Sequence, residues 1–271
     1  MESFLRHGHG YELYVYRPTS VDRRITLKDA NEIIPEAEIF YFFNEFAGRS
    51  EIVPFSDLFR LKLLHDTGGW WCDVDTLCLS NAMPECPYAW GRGFPLLEPA
   101  NVYNGILAFP RQDPIIGELY RRASALGSQI GGREALGSDL ISRTFADLGL
   151  PLDRTGDAAS FYPISWIEFF KLWMPEFTNE ILGKMENALF LPLYASVAKD
   201  LEIDMSILPP YASFFDLILG KYGSAEGGEG RIRRRYSEAE IGRLAKNYIR
   251  KFKLEESMNA VDQRVLALLE I

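Results

Sequence analysis

The stretch from Phe55 to Leu79, FSDLFRLKLLHDTGGWWCDVDTLCL, limits the folds open to this chain more than any other. Its first half has helical spacing. Leu58, Leu61 and Leu64 share a face, with Phe59 and Leu63 beside them. Pro54 precedes the helix, Ser56 is placed to cap it, and Gly68 can end it, because glycine enters the left-handed conformation at little cost. The second half, Trp70 to Leu79, is rich in aromatic and β-branched residues and predicts one strand. Side chains alternate along a straight strand, so Trp71, Asp73, Asp75 and Leu77 would face one way. Trp70, Cys72, Val74, Thr76 and Cys78 would face the other. Alternating strands and helices through the first half of the chain point to an α/β class.

Same-face neighbours on a strand lie about 6.6 Å apart at Cα. That spacing lets Asp73 and Asp75 converge on one divalent ion, directly or through water, and hard cations such as Mg²⁺ and Mn²⁺ prefer such oxygen ligands. A bare D-x-D says little. With 15 aspartates in 271 residues, about one arises by chance per chain, and the plain alternative is a loop with two solvated acids. The context favours a site, since the acids follow two tryptophans on a strand that reads as buried, and buried carboxylates need partners.

Length and composition narrow the rest. A chain of 271 residues, 47% apolar and 25% charged, can bury a large core as one large domain or two small ones. No apolar run is long enough to span a bilayer. The N-terminus, MESFLRHGHG, lacks the apolar core of a signal peptide. The cysteines number three, and Cys72 and Cys78 share a strand, a poor geometry for pairing. The expectation is a reducing cytoplasm with thiols acting as small hydrophobes. Histidines 7, 9 and 65 make no zinc spacing. A net charge of −9 argues against nucleic-acid binding.

Further along, Glu12 to Arg17 predicts a strand, Asp29 to Pro35 a short helix or turn, and the aromatic run Phe40 to Phe46 a piece of core. Tyr88 to Trp90 and Val102 to Phe109 predict two more strands. Asp113-Pro114 opens a helix to about Leu126, and Arg133 to Leu148 predicts another, with Asp139 a cap or surface acid. Ala188 to Tyr194 predicts a late strand and Tyr211 to Lys221 an amphipathic helix. Residues 223–230, GSAEGGEG, predict a flexible linker between a domain over 1–222 and a basic helical appendage over 231–271. That appendage carries ten Lys/Arg against six Asp/Glu. Ser237 and Glu240 have capping-box spacing. The appendage is either a solvated helix or an electrostatic foot on anionic lipid, at the inner face of a membrane.

The full pattern S-D-x-x-R-x-x-x-L-x-x-x-G-G-W-W-x-D-x-D is met by Ser56, Asp57, Arg60, Leu64, Gly68, Gly69, Trp70, Trp71, Asp73 and Asp75. It resembles the DXD-motif glycosyltransferases, a family that includes bacterial capsule and lipopolysaccharide sugar transferases, yeast mannosyltransferase relatives and, more distantly, clostridial glucosylating toxins. The resemblance implies a GT-A-like nucleotide-sugar-binding sandwich, with a mixed, mainly parallel central sheet flanked by helices. It implies Mn²⁺ or Mg²⁺ held by Asp73 and Asp75 as the catalytic centre. Asp57 and Arg60 would contact the donor sugar, and at i and i+3 they also suit a plain ion pair. Trp71 would line the site or simply pack in the core, and Asn104 would touch the sugar or shape a turn. The donor would be a UDP- or GDP-sugar and the acceptor a hydroxyl on a glycan or lipid-linked glycan, with retention of configuration.

This chain departs from the family pattern in three places. Relatives begin with a further strand, so the sheet is expected without its first strand. Relatives carry a Gly-Pro helix start where this chain has Gly137-Ser138. Their late strand brings a histidine or asparagine to the metal or diphosphate, and Ala188 to Tyr194 has neither. Two other readings stand beside the transferase: a non-catalytic sugar-nucleotide or glycan-binding protein, and a metal-dependent phosphohydrolase. The latter lacks the further acids or histidines of a two-metal site.

Overall fold

A computed structural model describes residues 1–45, 48–93, 101–152, 154, 158–222 and 234–269. The chain opens with a short helix, α1 (Glu2–Arg6), and a parallel pair, β1 (Glu12–Val15) with β2 (Thr26–Asp29). A small antiparallel ladder follows, β3 (Phe42–Asn44) with β4 (Arg49–Glu51). The aromatic run here is only partly core. Phe40 packs on Phe55 with ring centroids 5.7 Å apart, but Tyr41 and Phe43 are 64% and 58% exposed. Strand alternation turns every second ring outward, and Phe46 lies outside the described residues.

Helix α2 (Val53–Thr67) is apolar around most of its circumference. Leu61 and Leu64 enter one core cluster with Trp90, Phe109 and Ile116, while Phe55, Phe59 and Leu63 enter another with Ile33 and Ile34. A helix packed on two sides in this way is an interior element, and each such side chain contributes about 1.5–3 kcal/mol on burial. Pro54 sits in the first turn, where a missing N–H costs nothing. Ser56 is inside the helix and does not cap it; the N-cap is Ile52, without a side-chain bond. The helix stops at Gly68, whose φ is 68°. A Cβ there would also lie 2.5 Å from the Arg111 nitrogen, so the turn and the close approach both require glycine.

The expected single strand after Gly68 is two strands. β5 (Gly69–Cys72) and β6 (Thr76–Cys78) are separated by a turn at Asp73-Val74-Asp75, closed by Thr76 N–H donating to the Asp73 carbonyl at 2.9 Å. Aspartate is a turn former, and the two halves join different partners. β5 pairs with β8 (Val102–Phe109), which pairs with β7 (Ala89–Arg92), in the order β5-β8-β7. β6 pairs with β9 (Phe190–Pro192). Both of these sheets are antiparallel. The expectation of a mainly parallel central sheet is therefore corrected: among the described strands only β1 and β2 run parallel. Parallel neighbours need a crossover connection, and no α-helix lies between β5 and β8 among the described residues. The architecture is mixed α/β, with helices and several small sheets.

Helices α3 (Pro114–Leu126), capped by Asp113, and α4 (Ser138–Leu148) cover the β5-β8-β7 sheet. α4 starts later than expected from Arg133, because Gly137 is non-helical at φ −97°, ψ −121°. A second core gathers around the 3-10 segment Trp166–Trp173. It takes in α5 (Thr178–Lys184), α6 (Ala195–Asp200), α7 (Phe214–Tyr222) and both β6 and β9.

The C-terminal helices α8 (Glu238–Lys251), α9 (Glu255–Val261) and α10 (Gln263–Leu268) belong to that core and are not an appendage. Ile241, Ala245, Tyr248 and Ile249 form the buried stripe of α8, below the expected capping box of Ser237 and Glu240. The linker expected at 223–230 lies outside the described residues. No described helix is long and apolar enough to cross a membrane.

Among the described residues, strands β1 and β5 each pair on one edge only. Between them runs a cleft of about 760 Å³, lined by consecutive residues of both segments, Gly10 to Tyr14 and Gly69 to Cys72. One face of α2 forms part of its wall, with Phe55 and Phe59.

Candidate functional site

The sequence-selected residues meet where α2, the C-terminal end of β5 and the start of β8 come together. Asp57 and Arg60 share a face of α2, and an Arg60 Nη lies 3.2 Å from Asp57 Oδ1. The same guanidinium lies 3.3 Å from Asp73 Oδ1 and donates to the Asn104 carbonyl at 2.6 Å. Asn104 in turn donates its side-chain amide to Asp57 Oδ1 at 2.8 Å. The Trp71 indole N–H donates to Asp73 Oδ1 at 2.8 Å, and its ring carries the Arg60 guanidinium 5.0 Å from its centroid. Asp57, Arg60, Trp71, Asp73 and Asn104 thus form one connected network. Trp71 also lines the cleft beside β5.

Asp75 is not part of that network. It faces the second core, where its Oδ2 accepts the Ala195 N–H at 2.7 Å and its carbonyl accepts the Leu193 N–H at 2.8 Å. The two aspartates nevertheless feel each other. Burial pushes the Asp73 carboxyl up, Arg60 opposes this, and the Asp75 charge adds to the upward shift. Burial also raises Asp57, to about 7, against the pull of Arg60 and Asn104.

Several residues with no role assigned from sequence complete the site. Tyr162, on the segment after α4, accepts the Ile106 N–H on its hydroxyl at 3.0 Å. Burial lifts its pKa well above the ordinary phenol value, and Asp73 contributes. Gly105 leaves room beside Asp73: a Cβ there would sit 3.0 Å from Oδ2. Gly137 lets the start of α4 approach the network, since its Cβ would lie 2.5 Å from the Asn104 amide nitrogen and 2.6 Å from Asp57 Oδ2. Glycines in sequence signal such approaches only once their spatial neighbours are known. Asp139 sits in the first turn of α4.

Two buried polar atoms of the network have no hydrogen-bond partner among the described residues, Asp57 Oδ2 and Arg60 Nε. Native structures leave few such groups, because each costs about 1–3 kcal/mol. Asp73 and Asp75 each keep one carboxylate oxygen without a hydrogen bond among the described residues, Oδ2 and Oδ1 respectively. Oxygens of this kind are the hard donors that a Mn²⁺ or Mg²⁺ ion takes, although the turn at Asp73-Val74-Asp75 replaces the shared strand face expected to bring them together. Among the described residues no third His, Cys, Asp or Glu joins them, so water and ligand oxygens would supply the remaining positions. Compared with protein-family models and with curated proteins, the sequence matches none.

Proposed function

We propose that the protein transfers a sugar from a UDP- or GDP-sugar to a hydroxyl of a glycan or lipid-linked acceptor, with retention of configuration. The observation that carries this reading is the network of Asp57, Arg60, Trp71, Asp73 and Asn104, in which the buried Asp57 and Arg60 still have unpartnered polar atoms. Native folds leave few buried charges half-satisfied, and binding sites are where such groups gather. In this reading Asp57 and Arg60 bind the donor's sugar hydroxyls, and Asn104 and Trp71 fix their rotamers. Asp73 and Asp75 would hold a divalent ion, which when bound would supply Lewis-acid stabilisation for charge developing on the leaving diphosphate. Arg60 adds a fixed positive charge beside Asp73. Among the described residues no carboxylate is nominated as a covalent nucleophile, so in this reading the acceptor hydroxyl attacks from the face the diphosphate leaves and passes its proton to that phosphate. The exposed side of α8, with Arg243, Arg250 and Lys251, is the side that would meet an anionic membrane bearing a lipid-linked acceptor.

A second reading, a sugar-nucleotide or glycan-binding protein without turnover, is favoured by one observation. Arg60 already neutralises Asp73, and no third protein ligand stands beside the two aspartates among the described residues.

Calorimetric titration with a panel of UDP- and GDP-sugars, with and without Mn²⁺, separates the two. Metal-dependent binding of one donor, lost in Asp75→Ala, is the expected result, with turnover abolished in Asp75→Asn. Donor binding indifferent to both metal and Asp75 supports the second reading. A folded protein that binds no donor sinks both.

A further inference from the structure

The segment joining β9 to α6 grips Asp75 at two points. Leu193 N–H donates to the Asp75 carbonyl and Ala195 N–H to its carboxylate. Between these donors Tyr194 adopts φ 44°, ψ 53°, a left-handed conformation that costs a residue other than glycine about 1–2 kcal/mol. Such a conformation persists only where the surroundings over-determine it. Here the Tyr194 hydroxyl donates to the Ile164 carbonyl at 2.8 Å, and its own carbonyl accepts from Val197 and Ala198 N–H at 2.8 and 3.1 Å. The left-handed turn points two N–H groups that straddle one residue toward the same aspartate. An extended residue at 194 would send them apart.

We propose that Tyr194 and the main-chain N–H of Ala195 are positioning elements of the cation site. They hold Asp75 by Oδ2, so that Oδ1 is presented to a divalent ion together with Asp73 Oδ2. The segment therefore contributes orientation to the metal instead of a ligand. This inference rests on the metal reading of Asp73 and Asp75. The plain alternative is that the carboxylate merely caps the first turn of α6, in which case the contact stabilises that turn and leaves metal affinity alone.

Removing a partner that orients a ligating carboxylate costs about 10–100-fold in metal affinity. The test is Mn²⁺ titration followed by the electron paramagnetic resonance of free Mn²⁺, with thermal midpoints recorded in metal-free buffer. In one variant the amide at 195 is replaced by an ester (lactic acid for Ala195), which deletes the N–H alone. Mn²⁺ affinity is expected to fall at least tenfold. A second pair guards against local unfolding. Tyr194→Gly accepts the left-handed conformation and is expected to stay within about threefold of the unaltered protein, while Tyr194→Val resists it and is expected to match the ester. Unaltered Mn²⁺ affinity in the ester and Val variants, with only the midpoint lowered, overturns the inference and leaves the metal reading intact. Failure of the unaltered protein to bind Mn²⁺ overturns both.

Discussion

Two of the buried ion clusters among the described residues, one around Arg60 and one in the second core, are finished differently. In the second core the Lys171 ammonium, fully buried, reaches Glu168 at 2.8 Å, Asp262 at 2.7 Å and Glu180 at 3.3 Å. Three donors meet three carboxylates, and Lys184 and Arg264 take up the acceptor capacity that remains. None of its buried polar atoms lacks a partner among the described residues. Around Arg60 the same residue types leave Asp57 Oδ2 and Arg60 Nε unmatched. The Lys171 cluster ties the C-terminal helices to the 3-10 segment and is complete as it stands. The Arg60 cluster leaves hydrogen-bonding capacity unmatched among the described residues, and that is the capacity a bound ligand would use. Burial of charge alone marks neither; the distinction lies in whether the hydrogen-bond inventory closes.

The largest expected effect breaks the complete cluster. Lys171→Met leaves three carboxylates facing one another and should cost about 3–5 kcal/mol in urea unfolding. A loss below about 1 kcal/mol would mean the cluster is no tie. Next, Asp73→Asn should lower turnover about a hundredfold, near 2.7 kcal/mol in transition-state terms, while the unfolding midpoint stays within a few degrees. A variant that loses stability and activity together would put Asp73 with the structural ions instead.

The smallest effect is in pH dependence, where the two clusters have opposite sign. Asp57 has its pKa raised from 3.8 to about 7 by burial. Its contribution to stability is complete below pH 3.8 and is lost as pH rises through about 7. Asp262 and Glu180 are shifted down. Arg264 and Lys171 lower Asp262 despite its burial, and for Glu180 they outweigh burial. Their contribution is present above the unfolded values of 3.8 and 4.5 and is lost as pH falls below them. Unfolding free energy should thus gain from Asp57 on going from pH 7 to about 4.5. Asp57→Asn should erase that gain, by at least about 1 kcal/mol. An unchanged slope would show that Asp57 is ionised throughout, as fixed as its counterparts in the other core.

Much of the fold around Asp57 and Arg60 was legible because local signals and packing agree there. The spacing of Leu61 and Leu64, the two glycines after Thr67, Asp113-Pro114 and the run Val102 to Phe109 each give their element directly. Asp57 and Arg60 meet because i and i+3 must. The D-x-D turn reads as strand in sequence because Trp70 to Cys72 and Thr76 to Cys78 both favour β structure, and nothing local says that they serve different sheets. The basic end of the chain was read from its charge, although Ile241, Ala245, Tyr248 and Ile249 already mark a stripe for burial. Asn104-Gly105 suits a close backbone approach in sequence, but what Gly105, Gly137, Tyr162 and Tyr194 touch is set by residues distant in the chain.

The turn at Asp73-Val74-Asp75 is also a joint. Asp73 N–H is pinned to the Gly105 carbonyl on one sheet, and Asp75 is pinned to Leu193 and Ala195 beside the other. The gap between the two carboxylates is therefore a ruler for the seating of one core on the other. A packing change deep in either core, with no contact to the site, would be read out there as a change in spacing. A turn of three residues has no slack in which to absorb it.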